Sequence, residues 1–253
     1  MKLQSLFKII LTFCLSLLLS CSSDGDGSNS LVLVKKVTTV GEESENIELI
    51  YQNNNLIKGV TGNSHIEFTY SGNKVTSSKR YVNEVLTRTN NFTYTGNLLT
   101  SITSDGVYPQ KTVFFYINDK LASIEYLYLS DTEWILLEKD EIQLDSNSNV
   151  SQLENMFNAG NEIYTSRIEN QFDNKNNPLR DLNPYLRLFL DFINIDELSK
   201  NNVVSNDYFS PSNGTTSVNY TYEISYNENN FPIEIKRFSA EGSLITTTSI
   251  EYQ

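Results

Sequence analysis

The phrase FTYSGNKVTSS begins at Phe68, and FTYTGNLLTSI begins at Phe92. Each sets an aromatic before a short Asn/Gly turn and then starts a new apolar-led run. Weaker copies surround Ile50-Tyr51, Phe115-Tyr116, Leu144, Phe172 and Tyr226. The anchors are Tyr51, Tyr70, Tyr94, Tyr116, Leu144, Phe172 and Tyr226, spaced by 19, 24, 22, 28, 28 and 54 residues. Asn and Gly accept the positive φ of hairpin turns, whose twist matches that of the flanking strands. Each copy therefore reads as a β-hairpin. The last gap spans about two units and so contains an insertion.

Alternation supports strands. Val218, Tyr220, Tyr222, Ile224 and Tyr226 fall on one face, and Asn219, Thr221, Glu223 and Ser225 on the other. That period of two marks a half-buried antiparallel strand. Ile66-Phe68-Tyr70 and Val113-Phe115-Ile117 behave alike. Seven phrases of two strands each imply about fourteen strands, too many for an open twisted sheet to carry without curling, splitting or flattening. The expected fold is all-β: an antiparallel meander of hairpins, curled or barrel-like, with one helical insertion over 184–200. Asn183 and Pro184 start that helix, and Leu186, Phe189, Leu190 and Ile193 form its apolar stripe. Asn194 and Glu197 set a capping-box variant that restarts it. The stripe should cover the apolar side of the sheet.

The N-terminus is a processing segment. Lys2 and Lys8 precede an apolar run, Ile9 to Leu19, that is short against the roughly 20 residues a span needs. Residues 1–20 read as a signal peptide, 21–30 as a flexible tether, and 31–253 as one hairpin-repeat domain. Leu18-Leu19-Ser20-Cys21 resembles the lipobox of bacterial lipoproteins, which implies lipidation of Cys21 and a membrane partner through that lipid. The Cys-Ser-Ser-Asp start resembles lipoproteins of Bacteroidota. There, acidic residues after the cysteine mark export to the cell surface, and Asp24 and Asp26 stand in that position. A periplasm-facing anchor is the alternative. The turn phrase resembles a degenerate YD (Rhs-type) repeat, with Asp after the anchor only at Asp145 and Asp173. The whole chain resembles Bacteroidota lipoproteins whose domain of unknown function is porin-like in fold. Neither resemblance carries a catalytic residue over.

Loss of Lys2 and Lys8 with the signal takes the formal charge from -12 to -14. An acidic body is a poor match for nucleic acid. Cys14 leaves with the signal and Cys21 carries lipid, so thiol chemistry and thiolate metal sites are excluded. His65 is the sole histidine, and no GxSxG elbow or phosphate loop accompanies it. Asp145, Asn147 and Asn149 imitate the start of a calcium loop, but Val150 stands where Gly belongs and Met156 where Glu belongs. They are weak metal candidates beside a hairpin turn. Asp140-Glu141 and Asp196-Glu197 are carboxylate pairs of the kind glycosidases use and acidic surfaces also carry. Tyr126, Tyr128 and Trp134 form an aromatic group fit for sugar stacking or for core. The expectation is a lipid-anchored cell-envelope lipoprotein of the outer membrane, non-catalytic and without cofactor, serving as a binding or structural scaffold for an unidentified glycan or protein. The alternatives are a carboxylate-dependent glycan hydrolase and an accessory subunit of a nutrient-capture or adhesion complex.

Overall fold

The computed structural model describes residues 31–106, 108–160, 162–190, 195–210 and 216–253. Sixteen strands are present among them: β1 Val34–Gly41, β2 Glu45–Gln52, β3 Asn55–Thr61, β4 Ser64–Ser71, β5 Lys74–Val82, β6 Val85–Thr95, β7 Leu98–Ser104, β8 Gln110–Ile117, β9 Lys120–Ser130, β10 Glu133–Leu144, β11 Val150–Asn158, β12 Ile163–Phe172, β13 Val203–Ser210, β14 Thr216–Tyr226, β15 Pro232–Phe238 and β16 Leu244–Tyr252. Each pairs antiparallel with its sequence neighbours, and β16 pairs with β1, so the meander closes into a barrel. Among the described residues one helix, α1, spans Pro184–Arg187. The signal peptide, Cys21, the tether, Ile193 and Asn194 lie outside the described residues.

All seven anchors end an even strand, in the hairpins β2–β3 through β14–β15. This accounts for fourteen strands. The remaining two are β1 and β16, which belong to no phrase because they pair the two ends of the chain. Tyr252 stands opposite Val34 there as an eighth anchor. At every anchor the register shifts by one residue: Tyr51 faces Leu56, Tyr70 faces Val75, and Tyr94 faces Leu99. The same shift falls at Tyr116, Leu144, Phe172, Tyr226 and Tyr252. The extra residue makes a β-bulge, which bends the strand and raises its twist. The repeated phrase encodes it. Thr76 and Thr100 occupy the bulge and donate to Thr69 O and Thr93 O at 3.2 and 3.1 Å. Ser151 does the same for Gln143 O at 3.1 Å. The turns use positive φ as expected: Gly72 at 62°, Gly96 at 59°, and the pair Asn53 and Asn54 at 51° and 64°.

Opposed residues share a face, so the ladder fixes which side is inside. Val37, Ile47, Leu49, Phe68, Val75, Phe92, Leu99 and Ile124 are buried and face the lumen. The outward face carries charged ladders, with Ile50, Phe115, Ile117 and Trp134 as exposed apolar residues among them. Lys36 lies between Glu48 and Glu251, and Glu67 lies between Lys58 and Lys79. Lys139 faces Glu125, Arg167 faces Glu154, and Glu223 faces Lys236.

The segment between β12 and β13 folds into the lumen at the anchor end. Leu179, Leu182, Leu186, Leu190 and Ile195 join the wall residues in one buried cluster. Phe189 stands 5.2 Å from Phe92 and edge-on to Phe68 at 6.4 Å. The short turns at that end clamp the plug. Asn149 accepts from Lys200 N and Asn201 N at 3.0 and 2.9 Å. Asn176 N donates to Asn230 O at 3.0 Å, and Val32 N donates to Asp181 at 2.9 Å.

The expected helix over 184–200 is far shorter. Asn183 caps it as predicted, accepting from Tyr185 N at 3.0 Å, and Leu186 and Leu190 are buried. Beyond the stretch outside the described residues, Asp196 accepts from Leu198 N at 3.0 Å and from Ser199 N. That local turn competes with helical hydrogen bonding. Asn177, buried, donates to Asp196 O at 2.8 Å and replaces a partner that a helix would have supplied.

Burial pushes the hydroxyls of Tyr51, Tyr116, Tyr226 and Tyr252 above the phenol range, and Tyr70 to about 12. Unfolded tyrosine ionises near 10. These groups therefore contribute stability that is whole below pH of about 10 and is lost as pH rises through the folded values. Thermal melts followed by circular dichroism should show the transition temperature holding from neutrality to about pH 9 and falling steeply toward pH 12.

Candidate functional site

The plug closes the end where the even strands finish. The opposite end, bounded by the turns at Gly62, Asn83 and Asp131, keeps open space inside. The larger cavity, about 380 Å³, lies between the β2–β9 wall and Phe189 and Leu190 of the plug. A second, about 280 Å³, lies between the β11–β14 wall and residues 195–198. The first falls within the size range of small-molecule sites, roughly 300–1,000 Å³.

Two arginines stand on the wall of the larger cavity. Arg80 on β5 and Arg88 on β6 are direct cross-strand partners. The inward course of β5 and β6 is fixed by Ser78 and Asn90, both buried and two residues from the arginines. Asn90 donates to Ser78 at 2.9 Å and accepts from Ser104 at 2.5 Å, which braces this part of the wall. The bulge at Thr87, whose hydroxyl donates to Arg80 O at 3.1 Å, sets Arg88 opposite Arg80. Like charges in direct opposition are unfavourable. Among the described residues, no carboxylate forms an ion pair with either guanidinium. Contrast Glu141 and Glu154, also opposed: Lys139 pairs with Glu141 at 2.7 Å, and Arg167 faces Glu154. Arg237 differs too, since it meets Glu43 at 3.1 Å and lies over Tyr220 at 5.2 Å. Glu45 also lines the cavity, on β2, three strands from Arg80 and so about 14 Å along the wall.

Hydroxyl and amide groups complete the wall: Thr61, Ser64, Gln110 and Thr112. Tyr126 borders the cavity from β9. Beyond it, Tyr128, Phe157, Tyr164 and Tyr208 lie on the inward face near the open end, each more than a third exposed. Behind Tyr126, Glu138 and Asp140 face inward on β10, and Asn155 donates to both, to Asp140 at 2.8 Å. Burial pushes the Asp140 carboxyl up, against the hydrogen bond from Asn155.

The residues singled out in the sequence are scattered. Asp140 and Glu141 point to opposite faces, since Glu141 is outside on Lys139. Asp196 holds the plug turn and Glu197 borders the smaller cavity. Asp145 Oδ1 accepts from Asn147 N and Asn149 N at 2.8 and 2.9 Å, and its Oδ2 accepts from Asn149 Nδ2 at 3.0 Å. These bonds, the one from Asn149 N foremost, hold the Asp145 carboxyl below the usual range. Asp173, the second Asp that follows an anchor, accepts from Lys175 N, Asn202 N and the Tyr226 hydroxyl. Both acids shape turns that grip the plug. Among the described residues, no group of three or more His, Cys, Asp or Glu is placed to hold a metal. His65 stacks on Tyr81 at 4.6 Å, with Glu67 3.6 Å away on the same outward ladder. Trp134 lies opposite Leu129 on the outward side, away from Tyr126 and Tyr128. The arginine pair was missed. Its signal was the alternation Phe68-Tyr70 on β4 and Ser78-Arg80 on β5, which reads only once the bulge register is known.

Two solved structures share this fold. A porin-like protein from Bacteroides vulgatus ATCC 8482 matches with 15% identity over 88% of this chain and 99% of its own, at a TM-score of 0.53. A porin-like protein from Bacteroides uniformis ATCC 8492 matches with 13% identity over 87% and 96%, at a TM-score of 0.51. At such identity the likeness is one of fold. No family model and no curated protein matches the chain.

Asn149 is fully buried, whereas Asn147 is exposed. Asn149→Ala should lower unfolding free energy by about 3 kcal/mol, since it strips partners from two plug amides and from Asp145. Asn147→Ala should stay within about 0.5 kcal/mol. Urea denaturation of both variants measures this, and millimolar calcium should leave the wild-type midpoint in place.

Proposed function

We propose that this chain is a lipid-anchored, non-catalytic binding barrel of the outer membrane, tethered through Cys21 and standing in water at the cell surface. The observation that carries this reading is the charged outward face. Belts such as Lys58–Glu67–Lys79 run across the outer wall, and the buried apolar residues point in, while Phe115, Ile117 and Trp134 are isolated outward apolar side chains on β8 and β10. A barrel that spans lipid wears its apolar band outside, and each Lys or Arg set at mid-bilayer costs about 2–4 kcal/mol. A body of this kind reaches a membrane by an attached lipid, and the Leu18-Leu19-Ser20-Cys21 motif offers one. The porin-like fold shared with the two Bacteroides proteins agrees with a cell-envelope setting. β1 enters the barrel at the plugged end, where Val32 N donates to Asp181. The mouth, with its cavity and half-exposed aromatics, is the binding end.

A second reading, glycan hydrolysis, is favoured by Glu138 and Asp140 sharing the inward face, with Asp140 pushed up by burial. Release of reducing ends from glycans, abolished in Asp140→Asn, would select it over binding alone.

The full chain, expressed in a host that lipidates exported proteins, tests the anchor. Wild type should incorporate labelled palmitate and sediment with membranes, while Cys21→Ala should do neither and appear in the soluble fraction. A variant that stays in the membrane and resists alkaline carbonate would mean that the strands themselves sit in lipid.

A further inference from the structure

We infer that the open lumen takes an anionic saccharide, with Arg80 and Arg88 clamping its carboxylate or sulfate. This rests on the reading of the mouth as the binding end and names the ligand class.

The charge comes first. Arg80 and Arg88 are held in direct opposition by the β5–β6 register, and no ion pair to a described residue relieves them. Each guanidinium offers a fork of N–H donors that matches a carboxylate or sulfate in bidentate fashion, and the register brings two such side chains to one place on the wall. An anion between them converts an unfavourable pair into two charge-assisted contacts. Because Arg80 is exposed and Arg88 half-buried, water screens their repulsion in the empty barrel, and the gain comes when an anion fills the space between them. Nothing of the kind holds for the other opposed like charges: Glu141 and Glu154 have cationic neighbours, and of Glu169 and Asp207 the first pairs with Arg167 at 3.0 Å and the second accepts from Asn219.

The rest of the cavity selects the body that carries the anion. Ser64, Thr61, Gln110 and Thr112 supply donors and acceptors spread over the wall, as a polyhydroxylated ring requires. Tyr126 supplies an aromatic surface in the same cavity, and Tyr128 extends it toward the mouth on the same inward face. Phe189 and Leu190 form a small apolar floor. A fatty acid would want that floor enlarged and the hydroxyl wall removed. A bare inorganic anion would leave most of about 380 Å³ unfilled.

The test is calorimetric titration of the full chain in detergent with trigalacturonic acid and with maltotriose, a neutral trisaccharide. Trigalacturonic acid should bind, weaken as salt rises, and lose about a hundredfold in affinity or more in the double variant R80S/R88S. Maltotriose should bind far more weakly, and the double variant should leave it unchanged. The variant's melting temperature should hold or rise, because a repulsive pair is gone, which excludes misfolding as the cause. Equal binding of both sugars, unaffected by R80S/R88S, overturns the anionic assignment and leaves the mouth as a general sugar site. Equal heat from inorganic sulfate alone overturns the saccharide part. No binding of either trisaccharide at millimolar concentration overturns this inference, and retained palmitate labelling in that same preparation would show the anchor reading intact.

Discussion

A closed ring of sixteen strands encloses more space than its own inward side chains can fill, whereas a ring of about eight is filled by them. The rest of this structure follows from that excess. Wide rings elsewhere admit water along their length. Here the chain inserts residues 173–190 and 195–202 into one end and packs it with leucines. An irregular segment inside a barrel brings backbone groups that need partners. Asparagines meet that need from the wall and from the plug itself. Asn149 takes two plug amides, and Asn177 joins Leu179 N to Asp196 O. The asparagine-rich character of the sequence therefore has two physical sources, turn conformation at the hairpins and hydrogen bonding of a buried loop.

The hairpins were legible because local chemistry makes them. Tyr70 with Gly72 and Tyr94 with Gly96 carry both the turn and the inward anchor within a few residues. The seven-phrase count stopped two strands short because β1 and β16 meet only through closure, and no local signal marks a contact between Val34 and Tyr252. The helix was overread for a related reason. Leu186, Phe189 and Leu190 obey helical spacing, yet their burial is set by the lumen, and Asp196 turns the chain by its own side chain. Asp145 and Asn149 looked like the opening of a metal loop because a turn that binds amides and a loop that binds cations use the same short polar residues.

The candidate site was least legible. Arg80 and Arg88 are eight residues apart in sequence and carry no motif. They come together through a turn at Asn83 and Glu84 and a bulge at Thr87, whose register no residue count reveals. The electrostatic division of the molecule was equally hidden. Alternation tells which residues share a face but not which face is wet. Only the closed ladder puts Lys58, Glu67 and Lys79 outside. Such exposed pairs contribute little stability each.

The seam between β1 and β16 has a consequence for biogenesis. It joins Val34 to Tyr252, and Gln253 N donates to Leu33 O at 3.0 Å, so the contact bridges a very long stretch of sequence. Contacts so distant form late. A chain emerging from its amino end must hold the free margin of β1 unpaired until β16 arrives, and such a margin is a template for pairing with a neighbour's. Lys35 and Lys36, next to the bulge on that margin, place positive charge where another copy would have to add. β16 acts as the clasp of the ring, because it alone joins the free margins of β1 and β15.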